Sequence, residues 1–250
     1  MIGGGTMTTV RRWVGSDYLK LLPVLALAFY IGFIPHQGYL YPVHLDEWNN
    51  YTYSQAITSA HGIAFPNPWQ GGDVLAYPNT EVGFNVFWSV LHQVSGIPLL
   101  TIYRFFPPLV LMVTVLAVYA LCRRQGFGWE AALFTCLIPT SVGILGPAFM
   151  VPVALGLAFI PLSLLVVFYH RDWWSYPLLY VLALFLLAVH AATAVGLVII
   201  LVPYLLLNLK ADFKRSAGIA LALALPFASG FPWVADIFKF ETGSMLTHSE

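Results

Sequence analysis

Charge is scarce in this sequence. Of its 250 residues only 9% are Asp, Glu, Lys or Arg, while 59% are hydrophobic and the mean hydropathy is +0.79. A water-soluble domain carries about a quarter charged residues, so that class is excluded and the chain is solvated by lipid. Its eleven basic and eleven acidic residues cancel. With no basic excess to neutralise a phosphate backbone, nucleic acid is excluded as a partner. Cysteine is nearly absent. Cys122 and Cys136 both fall in or beside apolar runs and offer neither a disulfide framework nor metal-binding spacing, so they read as small buried hydrophobes. No apolar run carries an Asp or Arg near its middle, a placement that costs about 2.5–3.5 kcal/mol. No intramembrane proton relay or ion path is visible.

What the chain does have is a series of apolar runs. The first, Leu19 to Pro35, follows the basic pair Arg11 and Arg12. No small-x-small cleavage site follows it, so it is expected to be a retained helix. Six more spans are expected at about Pro98–Cys122, Trp129–Leu145, Ala148–Tyr169, Trp173–His190, Ala191–Leu209 and Ser216–Gly230, with a joint at Gly146-Pro147. Between the first two spans lies a polar connection from Gln37 to about Thr80. It is rich in Tyr, Trp and Pro and poor in charge, which marks it as ordered and functional. Within it, Leu45 to Ala60 lacks Gly and Pro and is expected to lie as a helix on the membrane surface, with Trp48 at headgroup depth. Phe65 to Gly72 is irregular turn sequence. Val82 to Ser95 is apolar but too short to span and is expected to be interfacial or re-entrant. Thr80 is its candidate cap, and Glu81 suits its first turn.

Charge placement tests this map. With the N-terminus in the cytoplasm and Val82–Ser95 not crossing, nine of the eleven basic residues fall inside: Arg11, Arg12, Lys20, Arg123, Arg124, Arg171, Lys210, Lys214 and Arg215. Only Arg104 and Lys239 face out. That asymmetry is the one membrane insertion favours. The outer side then receives Asp46, Glu47, Asp73, Glu81, Asp236, Glu241 and Glu250. The expected fold is an all-α integral membrane protein of about seven transmembrane helices, with interfacial helices in a long first extracytoplasmic loop. Residues 1–18 form a cytoplasmic tail, 19–232 the helical module with that loop at 37–97, and 233–250 an extracytoplasmic C-terminal segment. A multi-pass protein of the cell membrane is the expected location.

The chemistry concentrates in His44-Leu45-Asp46-Glu47-Trp48, two adjacent carboxylates at the membrane edge. Adjacent helical positions point about 100° apart, so Asp46 and Glu47 cannot both face one reacting atom. Asp46 is the better candidate for a base. Glu47 can raise its pKa by like-charge repulsion or help hold a metal, or the pair can simply begin a solvated helix, where acids suit the N-terminal dipole. Arg104 can meet a phosphate or snorkel to headgroups. His190 can bind phosphate, metal or a sugar hydroxyl, or be an ordinary interfacial histidine. Glu81 is a helix-start acid or a second catalytic acid. A divalent cation, Mg or Mn, is left open, with His44, Asp46 and His61 as weak ligand candidates whose spacing fixes no three-ligand set. Trp48, Trp69, Trp88, Trp173 and Trp233 read as interfacial anchors, a few of which can stack on sugars. Asp236 and Glu241 can reach the same outer surface but carry no motif.

The acidic motif Leu45-Asp46-Glu47-Trp48 after the first helix, the Arg in Thr101-Ile102-Tyr103-Arg104 and the His in Val189-His190-Ala191-Ala192-Thr193 together resemble the GT-C superfamily of integral-membrane glycosyltransferases. That group includes protein mannosyltransferases, aminoarabinose transferases and oligosaccharyltransferases. The resemblance covers nearly the whole chain. It implies a seven-helix module with its active site in the first extracytoplasmic loop, a polyprenyl-linked phosphosugar as donor, membrane lipids as surroundings, and the first-loop acid as general base. Arg104, His190, Trp48 and Glu81 are the candidate substrate contacts. Because such proteins usually carry further helices and a soluble domain, the chain is expected to be the shared module alone or a shortened form. The rival expectation is a non-enzymatic lipid-carrier transporter or a scaffold subunit of a membrane complex.

Overall fold

Backbone N–H and C=O groups in lipid must pair within their own segment, and this chain meets that demand almost entirely with helices. A computed structural model describes residues 17–69, 75–76, 81–138 and 149–247, with backbone alone at 17, 75–76 and 231–247. Helix α1 spans Asp17–Phe33 and runs into a 3-10 turn at Ile34–His36. Helix α2 covers Leu45–Ala60, and a two-residue antiparallel ribbon pairs Phe65–Pro66 (β1) with Leu75–Ala76 (β2). Then come α3 (Val82–Ser95), α4 (Leu99–Arg123), α5 (Gly128–Leu137), α6 (Pro152–Tyr169), α7 (Ser175–Val189), α8 (Ala191–Asn208) and α9 (Phe213–Thr247).

Four helical stretches are long and apolar enough to cross a membrane: Tyr18–His36, Leu99–Arg123, Pro152–Tyr169 and Ala191–Asn208. The chain is therefore an all-α, membrane-embedded protein. The other expected spans come out shorter or only partly described. Helix α7 is apolar but has 15 residues. Helix α5 stops at Leu137, and Ile138 adopts extended geometry, as suits the residue before Pro139. The joint at Gly146-Pro147 lies outside the described residues, as do Arg11, Arg12, Asp73, Thr80, Glu250 and the side chains of Trp233, Asp236, Lys239 and Glu241.

Two packed groups of helices meet along the α4–α6 contact, which reaches the Tyr169 hydroxyl donating to the Leu121 carbonyl at 2.8 Å. Helices α1, α4 and α5 share a core that includes Leu21, Val24, Ala28, Leu111, Val115 and Cys136. Helices α6 to α9 share another, with Val167, Leu179, Leu186, Leu197, Leu201 and Ile219. A third cluster bridges them through Phe84, Trp88, Ile102, Tyr103, Met150 and Val189. Close approach at two glycines sets the geometry. A Cβ on Gly32 would lie 2.6 Å from Pro108 Cα, and one on Gly83 would lie 2.5 Å from the Ala188 carbonyl oxygen.

The bundle has two chemically different poles. At one, the guanidinium of Arg123 covers the Tyr18 ring at 4.5 Å, Arg124 covers Tyr169 at 4.4 Å and Lys20 covers Trp129 at 5.3 Å. Arg215 donates to the carbonyls of Val167 and His170, closing the C-terminus of α6. Helices α1, α5, α7 and α9 begin at this pole, while α4, α6 and α8 end there. The opposite pole gathers His36 and the starts of α2, α3, α4, α6 and α8. Helix α3 both begins and ends at this second pole, since the short Gly96–Pro98 link leads directly into the start of α4.

Helix α2 is buried along one face only, where it sinks Glu47, Asn50, Ser54 and Ile57 into the protein, while Leu45, Gln55, Ser59 and Ala60 stay exposed. Ser54 Oγ lies 3.4 Å from Asn85 Oδ1 and 3.3 Å from Tyr103 Oη, and Thr58 Oγ1 pairs with Ser89 Oγ at 2.7 Å. These bonds satisfy groups that would otherwise be costly to bury. They also seat α2 against α3 and α4.

Replacing Gly83 with alanine is expected to force the start of α3 away from α7, at a cost of about 1–3 kcal/mol. Thermal unfolding of the detergent-solubilised variant measures it, and an unchanged midpoint would show that the α3–α7 contact is looser than described.

Candidate active site

A cavity of about 390 Å³ opens at the acidic pole, lined by Asp46, Asn49, Asn50, Tyr53, Glu81, Val151, Pro152, Val153 and His190. Every lining residue but Tyr53, which lies in the third turn of α2, belongs to the first two turns or the N-cap of a helix. Asp46 and Asn49 open α2, Glu81 is the N-cap of α3, Val151 to Val153 start α6, and His190 caps α8. Four helix N-termini thus face one space. Each contributes the equivalent of about half a positive charge at its end, so the cavity favours an anion although its lining holds no lysine or arginine.

Asp46 and Glu47 part company at the start of α2, as the angle between neighbouring helical positions requires. Asp46 faces the cavity with a half-exposed side chain, its Oδ2 3.5 Å from His44 Nδ1. Glu47 is 0% exposed and lies outside the lining. Its Oε2 accepts from the backbone N–H groups of Val43 at 2.9 Å and His44 at 3.2 Å, and its Oε1 accepts from Met150 N at 2.7 Å. His36 Nε2 is 3.6 Å from the same Oε1. The catalytic place expected for Glu47 is therefore corrected. Its lone pairs are committed to backbone, and it acts as a tie between the segment before α2 and the segment before α6.

Glu81 and His190 are brought together, with Nε2 3.8 Å from Oε1. His190 Nδ1 accepts from Thr193 N at 3.2 Å and lies 2.6 Å from Thr193 Oγ1. An imidazole that accepts at Nδ1 carries its proton on Nε2 when neutral, so Nε2–H points toward Glu81. Burial pushes the Glu81 carboxyl above its ordinary range, and the negative charge on Asp46 pushes it further. Burial lowers His190 below the ordinary histidine value. Although their spacing would suit an ion pair, both environments favour the uncharged forms.

The remaining candidates lie elsewhere. Arg104 does not line the cavity; its guanidinium donates to the Gln37 carbonyl at 3.3 Å and sits 5.3 Å from the Phe105 ring. Trp48 is stacked on Tyr41 at 6.0 Å with its edge against Tyr51, also away from the lining. His44 Nδ1 accepts from Asp46 N at 3.2 Å and caps α2. His61 ends the same helix in left-handed geometry, about 25 Å from His44 at 1.5 Å per residue. His44, Asp46 and His61 therefore cannot share an ion. Among the described residues no three His, Cys, Asp or Glu side chains are placed to hold a metal.

Sequence reasoning passed over Asn49, Asn50 and Tyr53. Their signal was the spacing from Asp46 by three, four and seven positions, which puts all four on one side of a helix. Neither a protein-family model nor a curated protein sequence matches this chain.

Two outcomes follow for stability. In Glu47→Gln one amide N–H must confront a backbone N–H, so the unfolding midpoint should fall by the equivalent of about 1–3 kcal/mol, while Asp46→Asn should leave it nearly unchanged. For pH, Glu81 contributes stability fully below its ordinary value of 4.5 and loses it as pH rises through the raised one. His190 contributes fully above its ordinary value of 6.5 and loses stability as pH falls through the lowered one. The two contributions oppose each other across the weakly acidic range, so thermal scans of Glu81→Gln should show stability rising more steeply with pH than in wild type, because the part that declines has been removed.

Proposed function

We propose that this chain is a membrane glycosyltransferase of the GT-C type, which moves a sugar from a polyprenyl phosphate or pyrophosphate carrier to an acceptor hydroxyl on the extracytoplasmic side. The observation that carries the reading is the cavity at one pole of an apolar bundle, where Asp46 meets four converging helix N-termini. In this reading α1 and α4 to α9 are the seven spans, and α2 and α3 form the extracytoplasmic active-site loop. Lys20, Arg123, Arg124 and Arg215 gather at the pole opposite the cavity. By the inside preference of basic residues, that pole belongs in the cytoplasm.

The reaction needs few groups. The Asp46 carboxylate takes the proton of the acceptor hydroxyl as its oxygen attacks the anomeric carbon. The bond from that carbon to the phosphate oxygen breaks, and the phosphate leaves with the electron pair. Helix N-termini, supplemented by the Nε2–H of His190, stabilise the charge gathering on the leaving phosphate without reorganising. A neutral Glu81 avoids a second carboxylate charge beside the same phosphate and can donate to it. Arg104 and Glu47 take no step. No metal step is derived, because no three-ligand set occurs among the described residues.

Asp46→Asn and Asp46→Ala, assayed in membranes with a polyprenyl-linked sugar donor, should lose about 10²- to 10⁴-fold in transfer rate. Wild-type rates in both variants would overturn the assignment of the base.

A further inference from the structure

Beyond the reacting groups, the cavity has a wall that the transfer step does not use. Asp46, Asn49, Asn50 and Tyr53 present one side of α2 to it, opposite the short apolar surface of Val151, Pro152 and Val153. Asn50 is spoken for: its Nδ2 donates to the Asp46 carbonyl at 2.8 Å, and the residue is 5% exposed. The Asn49 amide and the Tyr53 hydroxyl have no hydrogen bond to a described residue. Both are half-buried, and the Tyr53 ring is braced against Phe65 at 5.8 Å. An amide offers a donor and an acceptor side by side, and a phenol offers either. Val153 is the partly exposed aliphatic member of the same lining, with Val151 and Pro152 buried beside it.

We infer that Asn49 and Tyr53 form the sugar-reading wall of this cavity, hydrogen-bonding the hydroxyls of an uncharged sugar whose C–H face rests on Val151–Val153. The inference deepens the transferase reading and rests on it for the identity of the substrate. Its chemistry is that of a polyol with an apolar face and a polar edge. At this wall the Asp46 carboxylate, one turn from Asn49 on the same helix, selects against a sugar that carries its own carboxylate. Because Asn49 follows Asp46 by one turn, the sugar hydroxyls and the anomeric carbon are held by the same rigid element. That is the arrangement a positioned transfer requires.

The test uses the purified full chain and three probes: short-chain prenyl phosphate, the same lipid bearing glucose, and the same lipid bearing glucuronic acid. The glucosyl lipid should bind more tightly than both others. Asn49→Ala and Tyr53→Phe should each weaken it about 3- to 10-fold, the size of one lost neutral hydrogen bond, while binding of bare prenyl phosphate and the unfolding midpoint stay as in wild type. The inference is overturned if wild type binds glucosyl and bare lipid alike, if both variants keep the wild-type preference, or if the glucuronyl lipid binds best. Transfer is measured on the same preparations. Sugar-dependent binding without turnover leaves this wall standing and removes the transferase assignment, whereas turnover with unaltered sugar preference in both variants does the reverse.

Discussion

Glu47 sits where the chain leading into α2 meets the chain leading into α6, and its two oxygens take backbone N–H groups from both sides. A buried carboxylate without partners would be costly enough to unfold a small domain. Here three backbone donors hold it in place. Because a helix fixes the angle between successive side chains, securing Glu47 inward also fixes Asp46 toward the cavity. The same carboxylate brings Met150, and with it the start of α6, to the edge of that cavity. Much of the shape of the pole follows from this tie. The seam of Ser54, Asn85 and Tyr103 then holds the remainder of α2 in register with α3 and α4.

The pole is unusual in how it handles charge. A phosphate-binding surface is commonly built from arginine and lysine, yet the basic residues Lys20, Arg123, Arg124 and Arg215 stand at the far end over aromatic rings and helix C-termini. What the cavity offers is backbone polarity: the ends of α2, α3, α6 and α8. Such fields are fixed by the fold and do not titrate. Burial shifts Glu81 and His190 toward their uncharged forms, and both add hydrogen-bonding groups to the lining.

Much of this was legible in the sequence, for physical reasons that differ between elements. Long apolar runs announced α1, α4, α6 and α8, since nothing but a helix satisfies their backbone in lipid. The short run at Val82 to Ser95 is a helix of 14 residues with the bounds its composition suggested. Asp46 stood out because carboxylates are rare in such a chain. The division of labour within the Asp46-Glu47 pair was half visible: the helical angle required them to diverge, but only the donors at Val43, His44 and Met150 decide which one turns inward. Met150 lies 103 residues away along the chain, beyond any local pattern. The meeting of Glu81 with His190 is hidden for the same reason. That Arg104 stands outside the cavity was not legible, because nearness to a helix end says nothing about which side of the bundle a residue faces. Nor were the partners of the buried polar face of α2, since Asn85, Ser89 and Tyr103 lie 31 to 49 residues away along the chain.

The cavity lies at the end of the bundle, not midway along it, and this placement changes how a substrate would be counted. A lipid-borne molecule arriving at the rim travels in two dimensions, and only its head has to shift to enter. Occupancy then tracks mole fraction in the bilayer and the local crowding of other lipids, while bulk dilution leaves it untouched. Half-saturation measured in micelles at different detergent loads would drift accordingly, and the invariant quantity would be a surface density.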